Sequence, residues 1–315
     1  MNSTGRTPFL LSLSALVVAS LLTAPLQAVI IVDDSFSDGD FAKTGALDTN
    51  WWTSSSSSGK EISVGSLGLV TGTSGRGIHT IFPAVTLSNT NDVLKVTYTF
   101  TTPATVGVNR STAFRVGLFD SLGRAGLDAD VNASSGSPND LYGWGAAAGG
   151  PGTATLPGYM FDMDVNLNGT DDDLNFREHL TQPSGVVGSG RLLSTTDFFD
   201  SISPSGADQN DMFAPNTQYT GMFIVRRLNA TDFKLTGMLD SITHSVIDGT
   251  IDSDLFDFLG FHANSNTFGS SNSQNTPDNG IDFSNIKIEH FVPEPASIAL
   301  LMGALIALPG MRRFS

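Results

Sequence analysis

VLKVTYTF, residues 93–100, is the stretch that decides the fold. Leu94, Val96, Tyr98 and Phe100 take every second position, with Lys95, Thr97 and Thr99 between them. Successive side chains of a strand point to opposite faces, so this period of two predicts a strand with one apolar and one polar face. The same pattern recurs in EISVGSLGLV (Glu61–Val70), AFRVGLF (Ala113–Phe119), FDFLGFHA (Phe256–Ala263) and IDFSNIKIEHF (Ile281–Phe291). TGMFIVRRL (Thr220–Leu228) and DFKLTGMLD (Asp232–Asp240) flank Asn229-Ala230-Thr231 and read as a hairpin. No stretch of the body sustains a helical period, and no internal repeat is present. Roughly ten to twelve strands, bounded by Gly, Asn, Asp and Pro, predict an all-β fold of two packed antiparallel sheets. Strand patterns resume directly after each long polar loop, so residues 29–291 are read as one β-sandwich domain.

Composition narrows the chemistry. All 31 acidic residues lie within residues 29–295, whereas three of the 16 basic ones (Arg6, Arg312, Arg313) lie outside, so the body is more acidic than the chain's net −15. Such a surface repels nucleic acid, which binds through cationic contacts, and no nucleic-acid partner is expected. There is no cysteine. Thiol nucleophiles, iron–sulfur clusters and cysteine zinc sites are thereby excluded, and an ordinary hydrophobic core must hold the fold.

The two ends are of a different character. Arg6, the apolar run Phe9–Leu22 and TAPLQA leading to Ala28 have the anatomy of a secretory signal peptide over residues 1–28. The end of the chain, residues 292–315, reads VPEPASIALLMGALIALPGMRRFS. Its apolar run, residues 296–311, would make a helix of roughly 24 Å, enough to cross a locally thinned bilayer. Arg312 and Arg313 would then hold the terminus in the cytoplasm. A buried or interfacial C-terminal helix is the alternative.

Pro293-Glu294-Pro295, the apolar span and the terminal Arg312-Arg313 together resemble a PEP-CTERM sorting signal. The resemblance implies an exosortase partner, a membrane-embedded transpeptidase that cuts near the motif. It also implies delivery to the cell surface or exopolysaccharide matrix of a Gram-negative bacterium, with the tail as a transient membrane anchor.

Within the body the most pointed cluster is FDMDVNLNGTDDDLNF, Phe161–Phe176. Asp164, Asn166, Asn168 and Gly169 match the first half of a calcium-loop pattern, with Asp172 as a further ligand candidate. The twelfth position is Asn175 where the pattern wants glutamate. The competing reading is a plain hairpin: Asn168-Gly169 is a favoured turn pair, and Leu174–Leu180 would return as the partner strand. Trp51, Trp52, Tyr142 and Trp144 are candidates for stacking on a sugar, against the alternative of core packing.

No catalytic residue is assigned. The five histidines are scattered, no nucleophile elbow or phosphate loop appears, and Glu61, Glu178 and Glu289 lie far apart in sequence. IIVDDSFSDGD (Ile30–Asp40) and IDFSNIKIEHF (Ile281–Phe291) resemble the terminal strands of concanavalin-like and carbohydrate-binding jelly rolls. The reading that follows is a non-catalytic surface or matrix protein that either contacts exopolysaccharide or does structural or adhesive work with no defined ligand. The alternative is a secreted polysaccharide-degrading enzyme working through loop aspartates.

Overall fold

A computed structural model describes residues 26–53, 57–73, 75–107, 110–123, 130, 156–165, 174–179, 193, 199–202 and 213–293. By internal contacts the chain divides into Val29–His290 and a second unit made of Met1–Ala28 with Phe291–Ser315. The strands are β1 (Leu26–Asp34), β2 (Trp52–Thr53), β3 (Lys60–Ser63), β4 (Ser66–Val70), β5 (Arg76–Thr86), β6 (Val93–Thr101), β7 (Arg110–Phe119) and β8 (Gly158–Val165). They continue with β9 (Leu174–His179), β10 (Phe199–Ser201), β11 (Gln218–Arg227), β12 (Phe233–Leu239), β13 (Ile242–Asp248), β14 (Leu255–Ala263) and β15 (Gly280–Pro293).

One sheet runs β13-β12-β11-β6-β15-β4-β3, with β1 also paired to β15. The other runs β10-β9-β8-β7-β14-β5-β2. In β6 the expected alternation is observed: Leu94, Val96, Tyr98 and Phe100 are buried and the residues between them half-buried. Those four face the second sheet, and aromatic rings fill the gap. Phe100 meets Phe114 at 5.2 Å, Phe261 meets Phe283 at 4.7 Å, and Phe161 meets Phe223 at 6.1 Å between centroids. Ring pairs at these separations contribute beyond the area they bury. Gly237 on β12 permits the close approach, since a Cβ there would lie 2.3 Å from the Phe161 ring of the opposite sheet.

The two sheets differ in their outer faces. The first follows the half-buried pattern of a solvated sheet. In the second, every residue of Gly158–Asp164 is buried. Its outer face carries a smaller apolar cluster of Phe119, Leu156, Met160, Leu193 and Phe258.

The structure departs from the sequence reading in several places. Glu61–Val70 is two strands, β3 and β4, paired through a turn at Val64-Gly65 where Gly65 takes φ +84°. A continuous alternation had hidden the turn, because serine and glycine suit a strand's polar face and a turn equally. Strands β2, β5, β10 and β13 were not anticipated. β15 runs to Pro293, so the tail boundary placed at 292 cuts a strand. The β8–β9 partners are antiparallel, as the hairpin reading expects, and both Asp162 and Asp164 are buried in β8. Residues 1–25 of the expected signal peptide and the helix 296–311 lie outside the described residues, while Leu26–Ala28, expected to end the signal peptide, open β1. No helix among the described residues is long and apolar enough to cross a membrane.

One end of the inter-sheet space is acidic. Tyr159 on β8 donates from its hydroxyl to Asp248 Oδ2 on β13 at 2.6 Å. Glu178 on β9 is the register partner of Tyr159 and points into the same space. Burial, with Asp248, Asp252 and Asp200 close by, pushes the Glu178 carboxyl up to about 8. It is therefore protonated in the fold at neutral pH and ionises on unfolding. Because the folded value is raised, stability falls as pH rises from the unfolded value of about 4.5 through 8, then levels. The slope is at most about 1.4 kcal/mol per pH unit. Urea unfolding between pH 5 and 9 should show this decline, and Glu178→Gln, which keeps the neutral shape, should remove it.

Candidate functional site

The described cleft with a polar and aromatic lining lies beside β2, and its geometry starts from a tryptophan that is not exposed. Asp34, at the end of β1, accepts from the Phe36 amide through Oδ1 at 2.9 Å and from Trp51 Nε1 through Oδ2 at 2.9 Å. This turns the chain sharply, with Phe36 at φ +56°, and fixes the Trp51 ring between Phe36 and Phe261. Trp51 is 1% exposed. Its expected role as an open sugar platform is corrected: the ring is core, and only its main chain serves the cleft.

Trp52 points the other way, as alternation along an extended segment requires. It is half-buried and stacks on His79 at 5.8 Å, and His79 stacks in turn on Phe258 at 5.5 Å. The indole is thus backed by two rings and cannot swing freely. In the same lining, Lys60 Nζ donates to the Trp51 carbonyl at 2.6 Å and to Asp130 Oδ1 at 2.7 Å. The same ammonium lies 4.6 Å from the centre of the Phe41 ring. The Thr53 amide also donates to Asp130 Oδ1, at 3.0 Å. Asn50 closes the loop by accepting the Lys43 amide at 2.7 Å. Together Asp40, Phe41, Ala42, Asn50, Trp51, Trp52, Lys60 and Asp130 line a cleft of about 620 Å³. That volume is in the range of small-ligand sites, and an aromatic wall with a few fixed polar groups is their usual lining.

Trp52 also ends a register row on the outer face of the second sheet: Trp52, His79, Gly260, Gly117, Met160, Arg177. The neighbouring row is His262, Arg115, Asp162, Asn175. Arg177 Nε donates to Asp162 Oδ2 at 2.6 Å. Burial raises the Asp162 carboxyl against the pull of Arg177 and Arg115. Arg115 Nη1 donates to the Leu193 carbonyl, and the Leu193 side chain sits over Gly117. His179 Nδ1 donates to the Leu156 carbonyl at 2.6 Å, and burial lowers this imidazole to about 4, leaving it neutral. These polar groups are internal and shield one another, so the face is a packed layer and the cleft begins at its Trp52 edge.

Of the other residues singled out in the sequence, Asp164 is buried in β8, where it shares the strand parity of Asp162. It therefore sits inside the sheet layer instead of at an open turn. Asn166, Asn168, Asp172, Tyr142, Trp144, Glu294, Pro295, Arg312 and Arg313 lie outside the described residues. Among the described residues no group of three or more His, Asp or Glu is placed to hold a metal ion. Pro293 is the last residue of β15. Phe41, Lys60 and Asp130 were missed in the sequence. The scarcity of lysine was the one signal that could have flagged Lys60, and nothing linked it to an aspartate seventy positions away. Glu61 and Asp282 flank Gly68 on the first sheet: Glu61 Oε1 and Asp282 Oδ1 each lie 3.2 Å from where a Cβ on Gly68 would sit.

Trp51→Phe should test the anchor of the cleft. It deletes the Nε1 donor and leaves buried Asp34 one partner short, which costs about 1–3 kcal/mol. Denaturant unfolding should show a loss of that size, and an unchanged stability would mean that the loop is held elsewhere.

No protein-family model matches the chain, and no curated protein matches it in sequence. Among solved structures it is similar to the metal-free lectin I-B4 from Griffonia simplicifolia, with a TM-score of 0.41 and 10% identity over 82% of this chain and 99% of that one. It is similar to the metal-free carbohydrate recognition domain of Emp46p, with a TM-score of 0.42 and 11% identity over 79% and 93%. A third is an endo-1,3-beta-glucanase from Streptomyces sioyaensis, with a TM-score of 0.42 and 10% identity over 85% and 99%. Likeness at these TM-scores assigns neither ligand nor activity to this chain.

Proposed function

We propose that this chain is an exported protein of the cell surface or exopolysaccharide matrix, and that it binds glycan without cleaving it in the cleft beside Trp52. The observation that carries the binding reading is the backed, half-buried indole that shares one cleft with a set of fixed polar groups. A sugar ring buries apolar CH groups against an aromatic face while its hydroxyls bond to acceptors at the rim. Asp130, Asn50 and Asp40 supply those acceptors, and each is held by a backbone or side-chain donor that fixes its position. Prior fixing lowers the ordering cost of binding.

Co-sedimentation of the full-length chain with exopolysaccharide from the producing organism tests this. Trp52→Ala should weaken binding by about tenfold or more, which corresponds to ~1.4 kcal/mol. Equal binding by the variant would remove the cleft from consideration. The same titration in chelator tests the loop 164–172: loss of binding there would move the site to Asp164, Asn166, Asn168 and Asp172.

The hydrolytic alternative has one observation in its favour, the Glu61–Asp282 pair around Gly68. Two carboxylates on one face are the minimum for glycoside hydrolysis. Glu61 Oε2, however, already accepts from the Asn275 amide at 2.5 Å and from Asn279 Nδ2 at 3.1 Å, which ties this carboxylate into the 270–280 loop. We expect no new reducing ends when the glycan is incubated with the protein. Their appearance, abolished by Glu61→Gln, would make the protein an enzyme.

Export and sorting rest on Arg6 with Phe9–Leu22 and on the tail from Pro293 to Arg313. A chain stopped after Pro293, which leaves β15 whole, should appear in the medium. Its retention in the membrane fraction would overturn the anchor.

A further inference from the structure

We infer that the cleft beside Trp52 selects uncharged glycans and rejects polyuronates, because its cation is already consumed inside the protein. The inference rests on the reading that this cleft binds glycan. Among the described lining residues the only cation is Lys60. Its side chain is 7% exposed, and its ammonium is held by two oxygens and the face of an aromatic ring. A uronate carboxylate arriving at the cleft would have to displace Asp130 or the Trp51 carbonyl from Lys60. Either displacement leaves a buried acceptor short of its donor, which is costly.

Among the described lining residues the charged groups left facing solvent are acidic. Asp130 is 31% exposed and offers its second carboxylate oxygen. Asp40 is exposed, with Oδ1 taken by the Ala42 amide at 2.7 Å. Two carboxylates and one neutralised ammonium leave a local excess of negative charge on a chain whose net charge is already −15. At contact distances this repulsion acts well inside a Debye length of ~8 Å and survives physiological salt. Sugar hydroxyls, by contrast, are donors, and Asp40, Asp130 and Asn50 are acceptors for them. The lining is therefore complementary to hydroxyls and hostile to carboxylates. Lys43, one residue beyond the lining, is exposed and its side chain is the alternative cation for an acidic glycan.

The test compares the full-length chain on neutral polysaccharides, laminarin and dextran, with alginate and polygalacturonate, by affinity electrophoresis at physiological salt. The expected result is retardation by at least one neutral glycan, and binding to both polyuronates weaker by at least about tenfold. Asp130→Asn should then release Lys60 toward the cleft and raise polyuronate binding. Asp40→Asn should do so to a lesser degree without disturbing Lys60, which keeps the inference open to test if the first variant does not fold. Polyuronate binding equal to or tighter than neutral binding overturns the selectivity while leaving the cleft as a glycan site. So does polyuronate binding that Lys43→Ala abolishes. Binding to neither class sinks the glycan reading, and the selectivity falls with it.

Discussion

The rest of the structure depends on the aromatic seam between two sheets that no disulfide cross-links. The chain has no cysteine, and among the described residues no α-helix is found to buttress either sheet. What holds the layers is the burial of rings from both: Tyr98, Phe100 and Phe283 from one sheet, Phe114 and Phe261 from the other. Each ring removed from water contributes on the order of 2–3 kcal/mol. Because these rings interlock across a gap of two side chains, the seam also sets the register of one sheet against the other. Phe161 entering the space left by Gly237 is the clearest instance. That glycine is a packing requirement, since its neighbour is a ring of the facing layer and no turn is involved.

A seam of this kind constrains what lies outside it. Along β8 the second sheet is buried on both faces, so polar side chains on its outer side depend on partners within the protein. Arg177 with Asp162, Arg115 with the Leu193 carbonyl and His179 with the Leu156 carbonyl are such pairs. Buried ions are retained only when paired, and breaking such a pair by removing one partner is expensive. The layer is consequently rigid, and Trp52, at its edge, inherits that rigidity through His79 and Phe258. An aromatic platform backed in this way loses little entropy when a ligand settles on it.

The sequence made the strands with clean alternation legible, because for these the burial pattern and the period coincide. β6, β11, β12 and the core of β15 are of that type, whereas β14 was legible from its apolar composition although it is buried continuously from Phe258 onward. β5 was hidden: its reading RGIHTIFPAVT mixes histidine, proline and threonine, and the strand is buried on both faces for part of its length. Two-sided burial erases the period that sequence reading relies on. Asp162 carries a charge yet lies inside the layer, a position that its Arg177 partner, fifteen residues on, permits and that no local pattern shows.

The site was half legible. Adjacent tryptophans in an extended segment must face opposite ways, so one of the pair had to be internal, and the sequence could not say which. Asp34 decides it: seventeen residues earlier, it supplies the acceptor that an indole N–H needs to be buried. The Lys60–Asp130 contact was beyond reach of any local pattern, because it is made by the fold bringing β3 against a residue seventy positions later. This contact has the larger consequence. A lysine shut into a wall by three partners no longer advertises its charge, so a cleft that contains a cation in sequence terms is an acidic cleft in physical terms. The function of such a site follows from which charges remain open after folding, and that quantity cannot be counted from residues alone.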